Sequence, residues 1–105
     1  MSLQSRMERI RSMLADEPND PELRYMLAME YASQGDDVAA VATFQDLIAV
    51  APTYAPGYHM GARALQRLDR IVEAKAMLQK GIPAALQQGN HHAAGEMQEL
   101  LGMLD

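Results

Sequence analysis

The residues of this chain best suited to chemistry are two histidines and a glutamate near the C-terminal end. His92 and Glu96 are four residues apart, so on a helix their side chains would lie on one face, where both can ligate a metal ion. The adjacent His91 points about 100° away on a helix, and the sequence offers no evident third ligand. We therefore expect no metal site, and interpret these residues as an exposed helix start.

Side chains arranged for catalysis are scarce as well. The chain has no cysteine, and His59 has no identifiable partners for a nucleophilic triad. Two acidic pairs, Asp16–Glu17 and Asp36–Asp37, fall at predicted helix boundaries, where carboxylates cap backbone amides. No glycine-rich phosphate loop is present. We expect a protein that is not an enzyme and has no cofactor.

The composition favours helices. The chain has 105 residues, which is one domain at most. Apolar residues make up 49% of it but aromatic residues only 5%, because alanine and nine methionines supply much of the apolar share. Alanine and methionine favour helices, and the residues that favour strands are few, so the composition predicts an all-α protein.

The charge limits the partners and the location. Fourteen acidic and nine basic residues give a formal net charge of −5, which repels a phosphate backbone and argues against nucleic acid. No apolar run approaches the ~20 residues that span a bilayer. Arg6, Glu8, Arg9 and Arg11 interrupt the N-terminal segment, which is therefore not a secretion signal. We expect a cytoplasmic protein that does not bind membranes.

Turn-forming residues divide the chain into segments with helical spacing. Clusters of proline, glycine, asparagine and aspartate mark the boundaries, and apolar residues between them recur three and four apart. This pattern predicts six helices, at about 3–16, 21–34, 37–50, 55–68, 71–87 and 90–104. Pro83 falls inside the fifth segment, where we expect a kink or an early end of the helix.

Equivalent residue types recur at a distance of 34 residues. The pairs are Pro18 and Pro52, Ala28 and Ala62, Tyr31 and Leu65, Ala40 and Ala74, and Phe44 and Leu78. The alanines are small where two antiparallel helices must approach closely, and the larger residues fill the space between layers. Because one helical pair cannot bury both of its faces, the period predicts a stack of such pairs.

These residues resemble the tetratricopeptide repeat (TPR) family. Segment 21–54 matches its pattern, except at Arg24, with Leu27, Ala28, Tyr31, Gly35, Ala40, Phe44 and Pro52. Segment 55–88 matches with Tyr58, Ala62, Leu65, Ala74 and Leu78, and departs from it at Gly61, Asp69, Gly81 and Leu86. The resemblance implies an all-α, right-handed solenoid of antiparallel helix pairs with about two full repeats. It divides the single domain into a half-repeat helix (3–20), repeats 21–54 and 55–88, and a capping helix (89–105).

The resemblance also implies a concave, peptide-binding face formed by the first helix of each repeat. The expected lining combines methionines with cationic and aromatic side chains: Tyr25, Met26, Met29, His59, Met60, Arg63, Arg67 and Met97. Methionine adapts to varied apolar partners, and arginine pairs with carboxylates. The Lys and Asn clamp that some family members use for a C-terminal carboxylate is absent. We expect an adaptor for a protein segment with apolar residues and at least one Asp or Glu.

Two of these assignments have structural alternatives. Met60 and Met97 could pack against each other or under the last helix, because a methionine stripe at helical spacing also suits a core. Arg63 and Arg67 could be solvated or paired with Glu30 or another nearby acid.

A second function is also open. The two end helices carry apolar residues with little expected cover: Leu3, Met7, Ile10, Met13 and Leu14 at one end, and Leu100, Leu101 and Leu104 at the other. An apolar end could pair with its own copy across a two-fold axis. The chain would then be a homodimerisation module without a separate peptide ligand.

Overall fold

The computed structural model describes residues 3–104, with side chains from Ser5 onward, and this part of the chain folds into six α-helices. They are α1 (Leu3–Asp16), α2 (Pro21–Ser33), α3 (Asp37–Val50), α4 (Ala55–Arg67), α5 (Ile71–Gln87) and α6 (His91–Met103). Every predicted helix is confirmed, and each predicted end lies within one residue of the observed one. The all-α prediction is confirmed with them.

Local capping explains why the helix starts are predictable. Asp20 Oδ1 accepts hydrogen bonds from the backbone amides of Glu22 and Leu23, at 2.9 and 3.3 Å. Asp36 and Asn90 each accept one from the amide three residues later, at 3.1 Å in both cases. These side chains satisfy amides that have no partner within the helix, so a single polar residue fixes the start of α2, α3 and α6, whereas Tyr54 and Arg70, before α4 and α5, make no such bond.

Helix α5 differs from the prediction at Pro83. We expected a kink or an early end, but the helix continues through Pro83 to Gln87, so the early end is wrong. Pro83 is exposed, as is residue 79, whose carbonyl loses its helical partner and can instead bond to water. Helix α5 therefore reaches 17 residues, against 14 for α3.

The helices stack in sequence order. Each helix packs against the next one along the chain, and α2, α4 and α6 also contact one another in order. The described part of the molecule is elongated, with extents of 38 × 29 × 20 Å. This arrangement places α2, α4 and α6 side by side, which is what positions the surface described below.

Small residues allow the paired helices to approach closely. Ala28, Ala40, Ala62 and Ala74 are all completely buried. Gly81 allows a closer approach still, because a Cβ there would lie 2.5 Å from the Cβ of Tyr58. The departures from the repeat pattern at Gly61 and Gly81 are thus tight helix contacts: a Cβ on Gly61 would lie 2.5 Å from Met77 Sδ.

The contact at Gly81 predicts an opposite response of two glycine-to-alanine changes. Gly81→Ala should destabilise the protein by about 1–3 kcal/mol, because α4 and α5 must separate. Gly95→Ala, in α6, should stabilise it by roughly 0.5–1 kcal/mol, since no neighbouring atom lies within 4 Å of an added Cβ. Urea unfolding followed by circular dichroism measures both changes. Equal effects of the two substitutions would contradict the close-packing interpretation.

Candidate partner-binding groove

A shallow groove of about 250 Å³ lies across the layer formed by α2, α4 and α6. It is lined by residues of these three helices and by the residue before α6: Tyr25, Ala55, Pro56, His59, Met60, Asn90, His92, Ala93 and Glu96. Of the eight predicted site residues, the structure brings Tyr25, His59 and Met60 together here. His92 and Glu96, which also line it, were not expected in the groove.

Polar side chains in and beside the groove are paired with one another. The Nε of Arg63 donates a long hydrogen bond of 3.4 Å to Nε2 of His59. His92 Nε2 lies 3.2 Å from Glu96 Oε1. Burial, together with the charge of Arg63, lowers the pKa of His59, and Glu96 partly opposes this shift. With its pKa lowered, the imidazole of His59 is neutral at pH 7, and its Nε2 accepts the hydrogen bond from Arg63.

Tyr25 forms the apolar wall of the groove and is held in place by aromatic neighbours. Its ring lies 6.1 Å from that of Phe44 and 5.9 Å from that of Tyr54, both in tilted arrangements. Burial raises the pKa of Tyr25. The ring is thus anchored on the core side and contributes a fixed surface to the groove.

Comparison with known proteins decides the family, although no family model matches the chain. A TPR repeat-containing protein of Pseudomonas aeruginosa is 27% identical over 99 residues, which are 94% of each chain. The solution structure of a TPR domain protein from Salinibacter ruber is 30% identical, with a TM-score of 0.79, and the match covers 84% of this chain and 89% of that one. The chain belongs to the tetratricopeptide repeat family. The fold extends further, since the Yersinia enterocolitica chaperone SycD superimposes with a TM-score of 0.87 at 10% identity, over 97% of this chain and 71% of its own.

TPR proteins are in general protein–protein interaction modules, which bind their partners on the surface of the stacked repeats. Within residues 3–104, no group of three or more His, Cys, Asp or Glu side chains is arranged to hold a metal ion. None of the helices in this range is both long enough and apolar enough to cross a bilayer.

Met97 does not lie on the surface of the TPR layer. It is completely buried, and its sulfur packs near Gly81, so the prediction that it lines the groove is wrong. The capping residues Asp20 and Tyr54 are 34 residues apart, but Tyr54 and Asn90 are 36 apart. Because of these two extra residues, Met97 is equivalent to the inward-facing Leu27 and Gly61.

Arg67 is held by the protein itself. Its Nε donates to both carboxylate oxygens of Asp37, at 3.0 and 3.1 Å, and its Nη2 donates to one of them at 2.9 Å. The alternative of an internal ion pair is therefore confirmed for Arg67, with Asp37 as its partner. Glu30 pairs instead with Arg6, at 3.4 Å. Arg67 ties the end of α4 to the start of α3, and only Arg63 remains available beside the groove.

The methionines of the predicted patch are separated in the structure. Met29 is half-buried against the core, and Met26 is exposed on a different groove, shared with α1. Of the four predicted methionines, Met60 is the one that lines the groove across α2, α4 and α6. The four-residue spacing of His92 and Glu96 is the sequence signal for these missed residues, because it places both side chains on one face of α6.

The lowered pKa of His59 predicts a pH-dependent stability. The unfolded chain binds this proton below about pH 6.5, whereas the folded state resists it, so stability is present above that pH and falls as the pH drops. His59→Gln should lose less stability than the wild type between pH 7.5 and pH 5. Urea unfolding at several pH values measures the difference. His91→Gln, at an exposed position, is the control and should follow the wild type.

The Arg67–Asp37 pair predicts a measurable coupling energy. Arg67→Gln and Asp37→Asn should each destabilise the protein, and the double variant should lose less than their sum, by about 0.5–1 kcal/mol. The value is modest because the Arg67 side chain is 45% exposed. A double-mutant cycle of urea unfolding gives the coupling, and strictly additive effects would exclude a structural role for the pair.

Proposed function

We propose that this protein is an adaptor that binds a segment of a partner protein in the groove across α2, α4 and α6. The observation that carries the proposal is that Tyr25, His59 and Met60, from two successive first helices, line one groove with residues of the third. Stacked helical repeats use such surfaces to bind other chains. The fold is also that of SycD, which is a type III secretion translocator chaperone.

The size of the groove favours a protein segment over a small molecule. Its volume is about 250 Å³, below the roughly 300–1,000 Å³ common for small-molecule pockets. A side chain from an extended or helical segment can enter it while the rest of the segment lies along the helices. The groove then provides an anchor point for a longer contact.

The chemistry of the lining indicates the side chains of the partner. The ring of Tyr25 and the thioether of Met60 suit an apolar residue, and methionine adjusts to different shapes. Arg63 is exposed, and its one contact among residues 5–104 is the long hydrogen bond to His59, so its guanidinium can pair with a carboxylate. We therefore propose a segment in which an apolar residue lies close to an Asp or Glu.

A peptide library displayed on phage tests this proposal directly. Wild-type protein should select peptides that combine apolar residues with Asp or Glu, and their binding should shift the amide signals of Tyr25, His59 and Met60 in NMR spectra. Arg63→Glu should lower the affinity for the selected peptides by about tenfold or more, because attraction for a carboxylate becomes repulsion.

Lys80→Glu is the matched control for that experiment. It makes the same change of charge at an exposed position of α5, away from the groove, so peptide affinity should stay near the wild-type value. Peptides that tolerate Arg63→Glu, or NMR shifts confined to other faces, would refute the groove as the binding site.

A second candidate function is self-assembly, favoured by exposed methionines on the end helices α1 and α6 and on α2 beside α1. Met13 is 43% exposed, Met26 is 44% exposed and Met103 is 71% exposed. Methionine side chains that remain this accessible are typical of surfaces that contact another protein.

A further inference from the structure

The first and last helices present matching stripes of opposite charge. On α1, Arg9 and Met13 are four residues apart and both exposed. On α6, Glu99 and Met103 have the same spacing and are also exposed. Residues four apart lie on one face of a helix. Each stripe therefore combines one charge with one methionine at the same separation.

The stripe on α1 borders a groove of about 470 Å³ between α1 and α2. The groove is lined by six residues: Arg6, Arg9, Ile10, Ser12, Met13 and Met26. The equivalents of Arg6 and Met13 in the next repeat, Ala40 and Leu47, are completely buried, because α3 has a helix packed on each side, α2 and α4, and Leu47 lies against Gly57 of α4. Within residues 3–104, no helix covers α1 in this way. The exposed face of α1 therefore corresponds to a face of α3 that another helix covers.

The charges at the two ends are complementary and available. On α1, Arg6 pairs with Glu30 and Arg11 donates to the Tyr31 hydroxyl, but Arg9 has no partner among the described residues. Helix α6 contains no Lys or Arg. Its Glu96 pairs with His92, whereas Glu99 has no partner in the described range. One unpaired cation and one unpaired anion therefore lie beside exposed methionines at opposite ends of the chain.

We propose that α6 of one copy docks into the groove between α1 and α2 of a second copy. Helix α6 runs parallel to the second copy's α1, since only then do Glu99 and Arg9, and Met103 and Met13, meet together. Four residues span about 6 Å on both helices, so the two contacts are in register. The contact is head-to-tail, and it builds open chains or rings.

This mode of association replaces the pairing of like ends that the sequence suggested. Two α1 helices that meet with the two-fold axis beside Arg9 bring two arginines together, and two α6 helices that meet with the axis beside Glu99 bring two glutamates together. Like charges in contact oppose association, while opposite charges favour it and fix the orientation. The proposal does not depend on the peptide-binding function, since its contacts involve neither Arg63 nor Met60.

Charge reversal with sedimentation equilibrium tests the contact. The average mass of the wild type should rise with concentration and fall with added salt. Arg9→Glu and Glu99→Arg should each weaken self-association by about tenfold or more. An equimolar mixture of the two variants should associate again, because each supplies the charge that the other now lacks.

Two controls make the same charge changes elsewhere. Lys80→Glu and Asp46→Arg lie at exposed positions of α5 and α3, and both should associate like the wild type. Circular dichroism verifies that every variant is folded. A wild type that stays monomeric up to millimolar concentration overturns the proposal, as does a mixture of Arg9→Glu and Glu99→Arg that fails to recover.

Cross-linking determines which ends meet. The chain contains no cysteine, so Met13→Cys and Met103→Cys introduce single, unambiguous thiols. Oxidation of a mixture of these variants, one carrying a tag of different mass, should give chiefly the mixed dimer. Predominant Met13→Cys homodimers would instead establish pairing of like ends and overturn the head-to-tail contact. Oxidation at high salt should lower the yield of the mixed dimer.

Discussion

The close approach of paired helices is the constraint on which the rest of this structure depends. Four alanines are completely buried at the helix contacts, and at Gly81 not even a methyl group fits between α4 and α5. Protein interiors are packed so densely that a change in volume of a single methyl or methylene group affects the neighbouring side chains. Because each pair is this thin, α4 contacts both α2 and α6. The groove exists only because these three helices are neighbours.

Features of this fold that depend on residues a few positions apart can be predicted from the sequence. Features that depend on contacts between distant residues cannot. Helix starts could be predicted because a cap such as Asp20 bonds to amides two and three residues away. The bond between Arg67 and Asp37 spans 30 residues and leaves no mark on the spacing of either segment. Met97 was misplaced because a constant period was carried past Pro83, while the longer α5 shifts everything after it by two residues. The one sign of that shift in the sequence is the spacing of Tyr54 and Asn90, the residues before α4 and α6, which is 36 residues and not 34.

The two proposed contact surfaces differ in their electrostatics. In and beside the groove, charges are matched internally: His92 lies against Glu96, and Arg63 against a His59 whose lowered pKa keeps it neutral. Selectivity there must come from shape and a few short-range polar contacts. At the end helices Arg9 and Glu99 are unpaired among the described residues. Those charges act at longer range and orient an approaching copy, although salt screens them over about 10 Å.

Helix α6 belongs to both proposed surfaces, so the two proposals together imply that binding at one surface is coupled to binding at the other. Glu96 lines the groove, and Glu99, three residues later, lies on the adjoining part of the same helix face. A second copy held at Glu99 and Met103 therefore stands at the edge of the groove and adds its α1 and α2 to the surface that a bound segment meets. If both proposals hold, a segment long enough to touch both copies will bind more tightly to the assembly than to the single chain. By linkage, that segment strengthens the association of the copies by the same factor.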